Sequence, residues 1–301
     1  MESDNEHILL PELKSKGIHL DVKREDLLHP VISGNKFRKL KYNLKYARER
    51  GSNIILTFGG AYSNHILATA CAGSENGFQT IGVIRGEELK EKWKENPTLV
   101  EAHAYGMQFR FISRAEYRKK EDAIWLQHFL KGQHDVYVIP EGGSNSLGIK
   151  GCEEILLPSD KAYDHICCAV GTGGTLAGII NSSDPGQHII GFPVLQSAGT
   201  AKDIRNFTSQ SNWTLEYSYH FGGYAKTSPL LIHFMNSFKE NTGILLDPVY
   251  TAKLFFGIFD MAKNGVFPTG SKILAIHTGG LQGITAMNMK LKKQNLTQIQ
   301  L

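Results

Sequence analysis

The chain has 301 residues, of which 41% are hydrophobic and 21% are charged, a composition typical of a globular protein with a substantial core. No run of eighteen apolar residues is present, and the acidic residues 1–6 lack the basic and apolar regions of a secretory signal, so we expect a cytoplasmic protein outside the membrane. The net charge of +4 is mild, and its two clusters of basic residues are typical of solvated helix faces, which argues against a nucleic-acid partner.

From residue 52 onward, short apolar runs alternate with segments of helical length. The runs predict strands over residues 54–58, 80–84, 109–112, 136–139, 165–170, 188–194 and 272–276. The intervening segments predict helices over residues 64–74, 97–105, 119–130 and 147–156. Strands that alternate with helices indicate right-handed crossovers and a mostly parallel sheet, so the predicted fold class is α/β. The glycine pairs at 142–143 and 171–174 are candidate places where the chain changes sheets.

The four cysteines, Cys71, Cys152, Cys167 and Cys168, form no Cys-x-x-Cys pair, so the sequence predicts no metal site. Two of them are adjacent within an apolar run that is typical of a buried strand. We therefore interpret the cysteines as structural thiols.

Polar, glycine-rich segments follow three predicted strands, at residues 59–65, 171–175 and 277–280. Open parallel sheets bind ligands at such strand ends. In 171–175, glycines and the start of a helix favour a phosphate, although a simple tight turn explains an isolated glycine loop equally well. The segment does not match the dinucleotide-binding fingerprint, because Leu176 occupies the position where that motif has its third small residue. The chain also lacks a P-loop motif, because no Gly-Lys dipeptide occurs.

Two further residues have both a plain and a functional interpretation. Ser63 is a natural helix N-cap, and a serine hydrolase is disfavoured because no Gly-x-Ser-x-Gly segment is present. Lys36 is one of four lysines in residues 36–45, so its spacing alone predicts a solvated side chain. The preceding Gly34 and Asn35 indicate a constrained loop that could hold an amine beside a ligand.

Taken in chain order, these segments resemble the fold-type-II pyridoxal-phosphate enzymes. More narrowly, they resemble the family of 1-aminocyclopropane-1-carboxylate deaminase and D-cysteine desulfhydrase, from about residue 23 to 280. Residues 23–26 and 34–40 are similar to the segment around that family's cofactor lysine. The other matching segments are residues 63–65, 172–175, 222–224 and 247–250.

The resemblance implies a role for each matching residue and pyridoxal 5'-phosphate as the cofactor. Lys36 would hold the cofactor as a Schiff base and move protons. The implied catalytic residues are Lys36, Ser63, Tyr224 and Tyr250. The implied cofactor-binding residues are Lys36, Asn64, Thr172, Gly173, Gly174, Thr175 and Thr278. The substrate carboxylate would be held by Ser63 and by the N–H groups of Asn64 and His65.

Two positions separate the reactions within the family. Thr251 and Thr278 stand where the cyclopropane deaminases have a glutamate and an apolar residue, and they match the desulfhydrases. A threonine beside the pyridine nitrogen makes a weaker electron sink than a carboxylate, which suffices when a thiolate leaves. We therefore expect β-elimination from D-cysteine or a similar D-amino acid, giving pyruvate, ammonia and sulfide. The open alternatives are cyclopropane deamination, a dehydratase or racemase of the same fold type, a cofactor-binding paralogue without turnover, and a plain nucleotide-binding domain.

The resemblance also implies the architecture, which is similar to the tryptophan synthase β chain. Two open parallel-sheet domains would hold the cofactor between them. Residues 1–41 and 151–301 would form the large cofactor-binding domain, and residues 42–150 a small inserted domain. The expected partners are a small amino-acid substrate and a second copy of the chain, because members of the family commonly form dimers.

Overall fold

Two sheets organise the chain in the computed structural model, which describes residues 1–132, 135–195 and 199–301. The six-stranded sheet contains, in spatial order, β1 (Asn5–Ile8), β2 (His19–Lys23), β10 (Lys272–Ile276), β7 (His165–Val170), β8 (His188–Pro193) and β9 (Trp213–Leu215). The four-stranded sheet contains β5 (Gln108–Ile112), β4 (Gln79–Arg85), β3 (Ile54–Gly59) and β6 (Val136–Ile139). All neighbouring strands are parallel except β1 and β2. The predicted α/β class is confirmed.

The helices cover both faces of these sheets. They are α1 (Pro11–Lys14), α2 (Asn35–Glu49), α3 (Asn64–Glu75), α4 (Pro97–Ala104), α5 (Arg114–Tyr117), α6 (Ala123–Phe129), α7 (Ser146–Cys152), α8 (Gly174–Ser182), α9 (Thr200–Arg205), α10 (Pro229–Thr242), α11 (Thr251–Lys263) and α12 (Gly283–Lys293). The helix predicted from residue 119 begins later, because the Asp122 side chain accepts the N–H groups of Ile124 and Trp125 and caps α6. None of the described helices is long and apolar enough to cross a bilayer.

Strand β7 shows why a continuous apolar run forms a central strand. Its side chains alternate between two cores: Cys167 packs among residues of α10 and α11, and Cys168 packs among residues of α8. Burial raises the pKa of both thiols, so they stay protonated. Both cysteines therefore act as small apolar core residues, as the sequence predicts.

The chain passes from the four-stranded to the six-stranded sheet between β6 and β7, where the glycine pair 142–143 lies. The same expectation for 171–174 was wrong: β7 and β8 are neighbours in one sheet, and α8 only carries the chain between them. The four strands of the smaller sheet all fall within residues 42–150. The division into domains stays a prediction, and its first boundary falls inside the continuous helix α2.

A buried ion pair fixes the start of α2 against the end of β2. The guanidinium of Arg38 donates to both carboxylate oxygens of Glu25, at 2.8 and 2.7 Å, and both side chains are almost fully buried. The backbone carbonyl of Glu25 also accepts the N–H of Gly34 at 3.1 Å. Bidentate pairs of this kind fix orientation as well as position, so they determine where Lys36 lies.

Candidate active site

A cavity of about 500 Å³ lies where the carboxyl ends of strands from both sheets face each other. Its walls come from the segments after β3, β6, β7 and β10, from the end of β4, and from the first turn of α2. This is the edge at which open parallel sheets bind ligands. The volume is within the range of sites that hold small molecules and cofactors.

Lys36 lies in the first turn of α2 and lines this cavity, with only 8% of its surface exposed. Its Nζ donates to Oδ1 of Asn35 at 3.1 Å. Burial, together with the nearby charge of Lys39, lowers the pKa of Lys36 to about 7. The solvated side chain that the spacing predicts was therefore wrong. The amine is in part unprotonated at neutral pH and can act as a nucleophile or a base.

The loop before Lys36 is locked against the end of β10 at a position that requires glycine. Gly34 has a φ of 61°, and a Cβ there would lie 1.9 Å from the carbonyl oxygen of Thr278. The same carbonyl accepts the N–H of Asn35 at 3.3 Å. Thr278 is 6% exposed and lines the cavity. Thr278 and Lys36, far apart in sequence, are thus held in the same wall region.

The N-terminus of α3 opens into the cavity beside Lys36. Ser63 is its N-cap, and its Oγ accepts the N–H of Ile66 at 3.4 Å. Within the described residues, no protein acceptor is bound by the backbone N–H groups of Asn64 and His65. The same is true of the side-chain amide of Asn64. Free N–H groups at a helix N-terminus favour an anion. This geometry is suited to the carboxylate-binding role that the resemblance implies.

The side chain of His65 has a different environment from its backbone. Its Nε2 lies 2.8 Å from Oγ1 of Thr57, which itself donates to the carbonyl of Ile139 at 2.8 Å. His65 therefore donates to Thr57, and its buried Nδ1 has no partner within the described residues. Burial, with the charge of Lys36 next, holds the pKa of His65 well below its usual range. The ring is neutral, so only the N–H of His65 can attract a carboxylate.

The loop between β7 and α8 forms the opposite end of the cavity. Gly173 has a left-handed φ of 83°, and a Cβ on Gly174 would lie 2.8 Å from Oγ of Ser144, so side chains would fill this space. Thr175 accepts the side-chain N–H of Asn35 at 2.8 Å. Oγ1 of Thr172 lies 2.5 Å from Oγ of Ser144. Gly173, Thr172 and Thr175 line the cavity, whereas Gly174 begins α8 just behind it.

Lys39 is a site residue that the sequence reasoning missed. It is 2% exposed and lines the cavity, and its Nζ donates to the Gly142 carbonyl and to Oγ of Ser144, both at 3.1 Å. Burial lowers its pKa, and an anion bound at the loop would offset this by favouring the charged amine. Lys39 is one helical turn from Lys36, and this spacing of three residues was the available signal.

Tyr224 and Tyr250 lie together at the mouth, with their ring centroids 6.1 Å apart. Tyr250 is held at the start of α11 by Asp247, whose carboxylate accepts the N–H groups of Val249, Tyr250 and Thr251 at 2.8 to 2.9 Å. Burial raises the pKa of Tyr250 well above its usual value. Its hydroxyl therefore keeps its proton at neutral pH and can donate a hydrogen bond.

The two threonines used to separate the reactions have unlike positions. Thr251 donates from Oγ1 to Oδ2 of Asp247 at 2.9 Å, is fully buried, and does not line the cavity. Thr278 does line it. Of these two threonines, Thr278 is therefore the one that offers its hydroxyl to a ligand. The geometry does not support a pairing of Thr251 with a cofactor nitrogen.

A cluster of His29, Cys71 and Glu75 outside the cavity has atoms close enough to hold a metal ion. The N–H groups of Val31 and Ile32 donate to Nδ1 of His29, so the neutral ring carries its proton on Nε2, which faces Glu75 at 3.1 Å. Burial raises the pKa of the Cys71 thiol to about 11. Both groups hold protons where a metal needs lone pairs, and the absence of a metal site stays a prediction.

The site fits an aldehyde that carries a phosphate group. The buried amine of lowered pKa could bind the aldehyde, and the glycines at a helix N-terminus, with a second buried lysine, leave room and charge for the phosphate. Residues 6–279 match the family described as pyridoxal-phosphate dependent enzymes. This chain belongs to that family. Its cofactor is pyridoxal phosphate, and its two-sheet architecture is that of a fold-type-II enzyme.

Relatives place the chain more narrowly. It is 33% identical to a Pyrococcus abyssi protein provisionally named as a 1-aminocyclopropane-1-carboxylate deaminase, over 91% of this chain and 88% of that one. It is 32% identical to a bifunctional, mitochondrial D-cysteine desulfhydrase/1-aminocyclopropane-1-carboxylate deaminase of Arabidopsis thaliana, over 91% and 75% of the two chains. The crystal structure of an ACC deaminase homologue superposes with a TM-score of 0.81 at 30% identity, covering 97% and 94%. The enzyme is therefore a member of the ACC deaminase and D-cysteine desulfhydrase family.

Proposed function

We propose that this pyridoxal-phosphate enzyme catalyses β-elimination from D-cysteine or a similar D-amino acid. D-cysteine and one water would give pyruvate, ammonia and hydrogen sulfide. The observation that carries the proposal is the buried Lys36 amine, which lines the same cavity as the N–H groups of Asn64 and His65, free within the described residues. An amine with a pKa of about 7 can both accept and return a proton at neutral pH.

The cofactor, when bound through Lys36, supplies the electron sink for bond cleavage at the substrate's α-carbon. The glycine loop at the start of α8 and the amine of Lys39 would hold its phosphate. The N–H groups of Asn64 and His65 would orient the substrate carboxylate. Lys36 would take the proton from the α-carbon.

The tyrosine pair would serve the leaving group. Because the pKa of Tyr250 is raised by burial, its hydroxyl stays protonated at neutral pH and can donate a hydrogen bond to the substrate's sulfur. We assign to it a hydrogen bond to the departing thiolate, which can leave as the anion because its conjugate acid has a pKa of about 8.5. Tyr224, whose ring lies against Tyr250 and is 43% exposed, would cover the mouth and limit the entry of water.

Elimination is preferred to cyclopropane opening because Thr251 occupies the position at which the cyclopropane deaminases have a glutamate, and Thr278, which lines the cavity after β10, offers a hydroxyl where they have an apolar residue. A hydroxyl cannot hold a positive charge on a pyridine nitrogen as a carboxylate does, so the electron sink is weaker. A thiolate, whose conjugate acid has a pKa of about 8.5, is a good enough leaving group for such a sink. The names of the relatives keep cyclopropane deamination as the alternative.

The test combines a spectrum with product analysis. Purified wild type, Lys36→Ala and Lys45→Ala are compared for visible absorbance; Lys45 is a matched control because it lies on the same helix with its side chain 68% exposed. We expect only Lys36→Ala to lose the chromophore. Release of oxo acid and ammonia is then measured with D-cysteine, L-cysteine and 1-aminocyclopropane-1-carboxylate.

Pyruvate from D-cysteine would support the proposal. Turnover of the cyclopropane substrate alone would refute elimination while leaving the cofactor site intact. Absorbance without turnover of any of the three would favour a cofactor-binding paralogue. The expected cytoplasmic location and homodimer are part of the same proposal, and cell fractionation and sedimentation equilibrium of the loaded protein are the measurements for them.

A further inference from the structure

Arg85 adds a further cationic side chain to the cavity. The roles proposed for the cofactor lysine and the glycine loop do not involve this side chain. It is the last residue of β4, is exposed, and lines the cavity wall on the side of the four-stranded sheet. A Cβ on Gly60 would lie 3.6 Å from its Nη2, so the guanidinium lies over the turn that leads into α3. Its aromatic contact is with the ring of Tyr117, 5.5 Å from the guanidinium carbon.

The guanidinium of Arg85 has no hydrogen-bonding or ion-pair partner within residues 1–132, 135–195 and 199–301. The other two basic side chains of the cavity, Lys36 and Lys39, both donate to protein oxygen atoms. Glu141, the acidic residue of the same wall, has Lys120 as a partner at 3.4 Å. Arg85 therefore offers five N–H donors and a full positive charge to whatever enters the cavity.

This cation lies apart from the place where the substrate's α-carboxylate would bind. The N–H groups of Asn64 and His65 begin α3, four and five residues after Gly60, and they would take the α-carboxylate. Arg85 is exposed at the end of β4, and its charge acts on Tyr224, which lies at the mouth. An amino acid bound by its α-carboxylate would direct its side chain toward this mouth region.

We propose that Arg85 binds a carboxylate on the substrate's side chain, so that the preferred substrate is a D-cysteine whose sulfur carries an acidic group. This rests on the proposed elimination and names its substrate class. A planar guanidinium binds a carboxylate through two parallel hydrogen bonds, which explains why an arginine rather than a lysine is suited to this place. S-carboxymethyl-D-cysteine and one water would give pyruvate, ammonia and mercaptoacetate, with the Cβ–S bond broken and a proton passed to sulfur.

The experiment compares S-carboxymethyl-D-cysteine with S-carbamoylmethyl-D-cysteine, which has the same shape and no side-chain charge. The variants are Arg85→Gln and, as a matched control, Arg110→Gln. Arg110 lies on the neighbouring strand β5 and also packs over an aromatic ring, at 5.3 Å, but is not part of the cavity. Pyruvate release gives kcat and KM, and cofactor absorbance on titration gives affinity without turnover.

We expect wild type and Arg110→Gln to prefer the acid over the amide by about tenfold to a hundredfold in kcat/KM, mostly through KM. Arg85→Gln should remove that preference, so that kcat/KM becomes about equal for the acid and the amide. Equal loss for both compounds would overturn the proposal, because Arg85 would then serve the α-carboxylate or the wall itself. Absence of a preference in wild type would also overturn it.

Failure of elimination is distinguishable from failure of this proposal. If wild type releases no pyruvate from D-cysteine or from either of these compounds, the reaction assignment is wrong. The absorbance titration still compares the affinities for acid and amide. An affinity preference that Arg85→Gln removes would uphold the side-chain carboxylate site, and equal affinities in wild type would reject it.

Discussion

Lys253→Met should lower turnover while leaving the cofactor bound, because Lys253 holds the segment that carries Tyr224. Its amine, on a side chain that is 1% exposed in α11, donates to the carbonyl oxygens of His220 at 2.8 Å and Gly223 at 2.7 Å. Lys253 itself does not line the cavity. Methionine keeps the volume of the side chain and removes both hydrogen bonds.

The expected loss of turnover follows from the backbone strain that these two hydrogen bonds oppose. Phe221 and Ala225, on either side of the glycines and Tyr224, have left-handed φ angles of 52° and 54°, each costing about 1–2 kcal/mol. Hydrogen bonds from a charged amine contribute about 1.5–3 kcal/mol each. Burial, which lowers the pKa of Lys253 to about 8, offsets part of that gain. A net loss of about 2 kcal/mol would release the segment, and turnover should fall about tenfold to a hundredfold.

The assay is oxo-acid release in Lys253→Met, Tyr224→Phe and the double variant, with cofactor absorbance recorded for each. Lys263→Met is the control, since Lys263 is exposed at the other end of α11. If Lys253 acts through Tyr224, the double variant should be no slower than the slower single variant. The reasoning would be refuted if the double variant lost turnover by the product of the two single-variant losses. Loss of the cofactor absorbance in Lys253→Met would also refute it.

Three further predictions follow from the buried contacts. In urea unfolding, Gly34→Ala should cost about 2–4 kcal/mol, because its Cβ would clash with a carbonyl in a left-handed backbone, whereas Gly77→Ala, with the same φ sign and open space, should cost about 1 kcal/mol. Asp160→Asn should cost about 3–5 kcal/mol in the same assay, because it leaves the fully buried Lys23 without its charged partner. In stopped-flow absorbance, the rate at which Lys36 of cofactor-free protein captures the cofactor should rise with pH and reach half its maximum near pH 7, because burial lowers its pKa to about 7 and only the unprotonated amine reacts.

Each of these three predictions has a control variant or an outcome that would contradict it. Lys161→Met removes an exposed ion pair next to Asp160, with Asp184, and should leave the unfolding midpoint unchanged. Equal losses for Gly34→Ala and Gly77→Ala would show that the Thr278 contact does not constrain the loop. A capture rate that climbs steadily to pH 10 would mean that the Lys36 amine is solvated.

The sequence by itself determined the fold class and the places where ligands could bind. Apolar runs of five to seven residues, such as 54–58 and 165–170, matched observed strands because strand formation depends on local pattern and burial. The strands at 5–8 and 213–215 escaped notice because a few residues at a sheet edge have no clear period. Lys36 was found by its resemblance to a family motif, and its spacing among other lysines pointed the wrong way.

Only the tertiary structure decided which side chains meet. Parallel strands from two sheets end at one cavity, so Lys39, Arg85 and Thr278 line the same cavity although they are distant in sequence. The same packing buries Lys36 and so lowers its pKa, and it turns Thr251 onto Asp247 and away from the cavity. Local periodicity cannot contain this information, because burial and electrostatic environment depend on which strand ends lie opposite one another after folding.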